Sequence, residues 1–166
     1  MKILILLLFL LMPLGAVSAQ TGDLTLEKGV AAHAEIDAIY KTFSDAYRTL
    51  DVEKVVNLYS ETAAYLAPEN DILQGRDAIR PTFRSFFEWV KKEGRTMTIS
   101  FQIVQRKADQ NLAYDVGIYT IRQYKDGKQV GDAGQGKFIV VAVREKDGKW
   151  RFQVDGYSDL KPPKKQ

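Results

Sequence analysis

Gly94–Ile103 reads GRTMTISFQI, and at this stretch the rhythm of the chain changes. Met97, Ile99, Phe101 and Ile103 are apolar and alternate with Thr98, Ser100 and Gln102. A period of two places the apolar set on one face of a half-buried strand. Upstream the period is that of a helix. Ile36, Ile39, Tyr40, Phe43, Tyr47 and Leu50 mark an amphipathic helix over Glu35–Leu50, and Ile79, Phe83, Phe86, Phe87 and Val90 mark another over Arg76–Lys92. Between them, Asp51 is placed to cap a short helix over Val52–Tyr59, because its carboxylate can accept from free N–H groups of the first turn. Ala63–Ala67 reads as a short strand stopped by Pro68. Pro81, near the start of the third helix, predicts either a kink or a start later than Gly75 suggests.

Downstream of Ile103 the strand pattern continues over Leu112–Tyr124, Phe138–Arg144 and Trp150–Tyr157. Asp126-Gly127 and Asp147-Gly148 both suit type I′ hairpin turns, whose central residues take positive φ. Helices first and an antiparallel meander afterwards make an α+β fold, with three helices on one face of a curved sheet. There is no internal repeat and no second domain.

The ends of the 166-residue chain read differently from its middle. Lys2, the apolar run Ile3–Met12, Pro13, Gly15 and Val17-Ser18-Ala19 have the layout of a secretory signal peptide cleaved after Ala19. The run is too short for a stable membrane span, which needs ~20 residues. Residues 20–34 lack periodicity and read as a linker, residues 35–160 as the domain, and residues 161–166, rich in Lys and Pro, as a flexible tail. Cleavage would remove 19 residues and one charge, Lys2, leaving 147 residues and taking the formal net charge from +3 to +2. No basic stripe with interleaved aromatics is present, so nucleic acid is not an expected partner. With no Cys, an exported domain must stand on its core alone, and 45% apolar residues suffice for one. The absence of an Asn-x-Ser/Thr sequon points toward a bacterial periplasmic or secreted setting.

Three chemistries are disfavoured. Gly131–Lys137 has phosphate-loop spacing, but Phe138 stands where Ser or Thr should hold magnesium, and strands rather than a helix flank the loop. The single His, His33, has no partner at metal-ligand spacing, so no metal or other cofactor is expected. Nucleophilic catalysis lacks both a Cys and a Gly-x-Ser-x-Gly motif.

The order of short motifs resembles the nuclear transport factor 2-like superfamily, in particular its SnoaL-like branch. The motifs are Asp51-Val-Glu53, Leu58-Tyr-Ser-Glu-Thr-Ala63, Ala67-Pro68, Gly75-Arg-Asp-Ala-Ile79, Ala113-Tyr-Asp-Val-Gly-Ile-Tyr119, Gly136-Lys-Phe138, Asp147-Gly-Lys-Trp150 and Asp155-Gly-Tyr-Ser158. The match covers about Glu35 to Ser158. It implies a cone whose cavity opens at one end and holds a ligand, and it leaves the activity open, because a fold hosts many functions.

Candidate residues follow from that cavity. Tyr47, Tyr65, Phe87, Trp89, Tyr114 and Tyr157 are the candidate ligand contacts, phenols being the most informative because a buried O–H wants a partner. Asp115 and Asp155 lie on strands, where Asp is disfavoured. Either could serve as an acid or base if desolvated, and by analogy with isomerase relatives Tyr119 or Tyr157 could stabilise an oxyanion. Strict alternation puts Trp150, Phe152 and Val154 on one face of the last strand and Arg151, Gln153, Asp155 and Tyr157 on the other. That second face looks either into the cavity or outward, where Asp155 would pair with Arg151 or Arg144. Three functions fit: a binding module for a small apolar or amphipathic molecule, an isomerase, cyclase or dehydratase using Asp155 with a Tyr donor, and a homodimeric assembly domain joined through the outer sheet face.

Overall fold

The computed structural model describes residues 23–68 and 70–160, so the expected leader and tail lie outside the described residues. The elements run β1 (Leu24–Leu26), α1 (Ala34–Thr49), α2 (Val52–Val56), β2 (Tyr59–Leu66), β3 (Leu73–Gln74), α3 (Arg76–Lys92), β4 (Thr96–Ala108), β5 (Leu112–Lys125), β6 (Lys128–Gln129), β7 (Gly134–Arg144) and β8 (Trp150–Asp159). The strands form one sheet in the order β1-β4-β5-β7-β8-β2-β3, with β6 added to β5. The expected α+β architecture is therefore present: three helices against a single, largely antiparallel sheet.

Helix α1 forms where the periodicity places it. His33 caps its start, Nδ1 accepting from the Ile36 N–H, and the His33 ring meets Trp150 edge-on at 5.5 Å. The buried face carries Ile36, Ile39, Tyr40, Phe43 and Tyr47. Asp51 caps α2 as expected, through the Lys54 N–H at 3.0 Å. Helix α3 starts directly at Arg76, not later, with Pro81 inside its second turn. Gly75 makes that start abrupt: its φ of 85° suits only glycine, and its N–H donates to the Ala63 carbonyl at 2.7 Å, tying α3 to β2. Ile79, Phe83, Phe87 and Val90 form its buried stripe.

Three expectations need correction. Residues read as a linker include β1, which pairs in parallel with β4 from Leu24 opposite Phe101 to Leu26 opposite Ile103. Such pairing between distant segments leaves no local period. The short strand begins at Tyr59, not Ala63, so α2 ends at Val56 and Tyr59 belongs to β2, which runs parallel to β8. The Asp126-Gly127 turn has both residues at positive φ, as type I′ requires, but in Asp147-Gly148 only the glycine does. There the Gly148 N–H donates to the Glu145 carbonyl and Asp147 Oδ1 accepts from the Lys149 N–H, so a type I turn closes on a left-handed glycine.

Two bulges change which side chains face the helices. On β4, Ile103 opposes Gly117 and Gln105 opposes Val116, leaving Val104 as the extra residue. On β8, Val154 opposes Val141 and Phe152 opposes Ala142, leaving Gln153 extra. One extra residue inverts the alternation beyond it. Met97, Ile99, Phe101 and Ile103 face inward, and past the bulge Arg106 does too. Trp150 and Phe152 face inward, and past the second bulge Asp155 does too.

Candidate functional site

The helices and the concave sheet face enclose a cavity of about 520 Å³. Its inner wall is aromatic: Tyr40, Phe43 and Tyr47 from α1, Tyr59 and Tyr65 from β2, Phe83 from α3, Phe101 from β4, Phe138 from β7 and Phe152 from β8. Ring pairs such as Tyr40–Phe101 (5.0 Å) and Tyr59–Phe152 (5.7 Å) meet edge-on, an arrangement favoured by their quadrupoles. Exposed Thr82 and Asp159, with half-buried Pro68, Phe86, Ile121 and Tyr157, mark the mouth.

Asp155 sits on this wall, 8% exposed, on a strand flanked by β7 and β2. The bulge at Gln153 decides its direction, so it shares a face with Phe152, and the strict alternation read from the sequence does not hold there. Tyr59 Oη donates to Asp155 Oδ2 at 2.5 Å. Oδ1 makes no hydrogen bond among the described residues. Neither expected cation pairs with Asp155: Arg151 binds Glu145 and Asp147, and Arg144 binds Glu35. Burial therefore pushes the Asp155 carboxyl up to about 6, the Tyr59 hydrogen bond offsetting part of the rise.

The neighbouring phenols stay protonated. Burial, then the Asp155 charge, raises the pKa of Tyr59 and Tyr65 well above the usual value. Burial likewise raises Tyr47, Tyr119 and Tyr157. Tyr65 donates to the Tyr157 hydroxyl at 3.4 Å, and Tyr119 donates to Asp159 Oδ1 at 2.7 Å. Among the described residues, the Tyr47 and Tyr157 hydroxyl protons have no acceptor, so they are free to donate into the cavity.

Asp115 is buried but lies outside the cavity lining, against expectation. It faces inward at the other bulge, where Arg106 grips both its oxygens at 2.7 and 2.8 Å and reaches Asp37 at 2.5 Å. Burial opposes the Arg106 charge, but the two carboxylates override it and raise its pKa further. This triad holds both Asp115 oxygens on Arg106, away from the cavity lining. Three expected ligand contacts also fall elsewhere. Phe87 is fully buried in the core beneath Tyr47. Trp89 is 41% exposed, stacked on Phe86 with Arg95 over its ring. Tyr114 lies on the opposite sheet face, bonded to Gln105. Tyr47, Tyr65, Tyr119, Tyr157 and Asp155 do converge on the cavity.

Sequence reasoning missed Tyr59 and Asp159. Tyr59 carries helical spacing, and only the parallel pairing of β2 with β8 brings it to Asp155, 96 positions away. Asp159 follows Tyr157 by two on the same strand face, a signal that extending the last strand by two residues would have captured. Among the described residues no three His, Asp or Glu side chains gather into a metal-binding group.

Solved structures share this fold at low identity. One is a ketosteroid isomerase-like protein from Erwinia carotovora atroseptica, 15% identical, TM-score 0.62, covering 78% of this chain and 96% of the other. A nuclear transport factor 2-like protein with a cystatin-like fold from Novosphingobium aromaticivorans is 14% identical, TM-score 0.65, with 79% and 83% covered. A protein from Xanthomonas campestris described as a calcium/calmodulin dependent protein kinase II association domain is 25% identical, TM-score 0.61, with 81% and 91% covered. No curated protein matches the chain. The family model described as the SnoaL-like domain matches residues 40–153, spanning α1 to the bulge of β8. The chain belongs to the SnoaL-like family, within the nuclear transport factor 2-like superfamily.

Proposed function

We propose that the protein binds a small, mostly apolar molecule in the cone cavity and orients it by a polar end at Asp155. One observation carries this reading: a cavity of about 520 Å³, aromatic on its wall, holds a single deeply buried carboxylate with one oxygen free. That volume is typical of small-molecule sites, which pair an apolar lining with a few orienting groups. Native mass spectrometry of the protein purified from its own host tests it. A retained small molecule supports the reading; its absence, together with no thermal shift across a metabolite library, counts against it.

A second reading makes the same site an acid/base enzyme of the isomerase, cyclase or dehydratase kind. Its support is the Asp155 carboxyl at about 6, suited to moving a proton near neutral pH. Tyr157 is the better oxyanion donor, because the Tyr119 hydroxyl already serves Asp159. Asp155→Asn should then abolish turnover while the fold persists.

The outer sheet face supports an assembly role beside either reading. Gly156 lies flat between Leu66 and Ile139, both exposed, and Val104 adds to the same apolar face. We propose that a second copy covers it, as the association-domain description of one structural neighbour suggests. Sedimentation of Ile139→Asp against the wild type tests this. Export with cleavage after Ala19 is proposed likewise, and N-terminal sequencing of the protein from its host checks it.

A further inference from the structure

The charge inventory of the cavity is one-sided. Its two ionisable acids are Asp155 at depth and Asp159 at the mouth, and no Lys, Arg or His lines it among the described residues. Among the described residues, the buried carboxylate has a phenol for a partner and no counter-charge. Burying an anion without a cation is costly, and the penalty is relieved when a partner of opposite sign arrives. The rings of Tyr59, Tyr65 and Phe152 line the cavity with Asp155, and the π density of an aromatic ring attracts a cation. Arginines on nearby elements are engaged elsewhere: Arg76 by the Tyr59 carbonyl, Arg106 by Asp37 and Asp115, Arg151 by Glu145 and Asp147.

From this we infer that the cavity selects an organic cation, an apolar or aromatic molecule bearing an amine or quaternary ammonium group, with the cationic end at Asp155. The inference rests on the ligand-binding reading above and names the class of ligand. A carboxylate or phosphate ligand would meet two acids and, among the described residues, no base, so anions are disfavoured. The rings hold the hydrocarbon part and the flank of the cation, and Asp155 Oδ1 takes the charge or its N–H. The free hydroxyls of Tyr47 and Tyr157 leave room for a second polar group on the ligand.

The test is calorimetric, with three probes that share one ring system: naphthylmethyl-trimethylammonium, naphthylmethanol and naphthylacetate, each titrated into wild type and Asp155→Asn at neutral pH. The wild type should bind the cation about tenfold or more tighter than the alcohol, with the carboxylate weakest. In the folded variant the cation and alcohol should bind within about threefold of each other. Equal or tighter binding of the alcohol by the wild type overturns the cation preference and leaves the ligand-binding reading standing. Retention of the preference in Asp155→Asn also overturns the assignment. If none of the three probes binds, the cavity reading and the inference fall together.

Discussion

The Phe152 ring and the Asp155 carboxylate, three residues apart on β8, line the same cavity. Residues three apart on a regular strand face opposite ways. The extra residue Gln153 turns the strand by one position, and its side chain secures the bulge by donating to the Thr62 carbonyl at 3.0 Å. A carboxylate is thereby placed in an aromatic wall that carries no cation among the described residues.

That placement costs stability in a pH-dependent way. The Asp155 carboxyl is raised to about 6 from an unfolded value of 3.8, so the folded state holds its proton more tightly. The penalty is absent below pH 4, grows as pH rises through the interval between the two values, and is complete above it. Asp155→Asn should match the wild type near the lower value and exceed it by about 3 kcal/mol above neutrality. Urea unfolding at the two pH values checks this. A variant that is less stable at both would contradict it.

The Tyr59 hydroxyl lowers the Asp155 pKa through its hydrogen bond. Tyr59→Phe should raise the Asp155 pKa above its wild-type value and destabilise the fold by about 1 kcal/mol. A carboxyl titration of the variant reads the first effect, and denaturant unfolding reads the second.

The other buried acid has a cationic partner. Arg106 bridges Asp115 and Asp37 in a triad whose side-chain exposures are 2% for Arg106, 2% for Asp115 and 13% for Asp37. Arg106→Met strands two carboxylates and should cost about 3–5 kcal/mol. Asp115→Asn should also destabilise, without the gain expected for Asp155→Asn at high pH. Thermal unfolding of the two Asp→Asn variants at neutral pH separates a structural acid from a site acid by the sign of the change.

Gly136 holds Tyr119 in place by leaving room for it. A Cβ there would come within 2.2 Å of the Tyr119 ring. Gly136→Ala should displace the ring from the cavity wall, break its hydrogen bond to Asp159, and cost about 1–3 kcal/mol. Loss of that bond is readable in the Tyr119 ring resonances.

What the sequence made legible was local. The period change at Gly94, the apolar stripes of α1 and α3 and the Asp51 cap depend on residues within a turn or two of each other, and their periodicity survives in the fold. What it hid was non-local. Nothing near Leu24 signals its pairing with Phe101, and nothing near Tyr59 signals Asp155. The bulges at Val104 and Gln153 interrupt runs that read as continuous, so Tyr114, Asp115 and Tyr119 keep regular alternation on the unbulged β5, whereas alternation misassigned Asp155 relative to Phe152. Trp89 and Phe87 failed as ligand contacts for a simpler reason: helical spacing distinguishes buried from exposed faces, not cavity from core.

The central claim is that Asp155 is a buried carboxylate without a counter-charge, held in a ligand cavity. A carbon-detected NMR titration of the Asp155 carboxyl in the wild type tests it most directly. The account predicts a midpoint near 6, displaced downward when a cationic ligand fills the cavity. A midpoint at or below the ordinary 3.8 would mean that water or a cation already compensates Asp155, and would contradict the account.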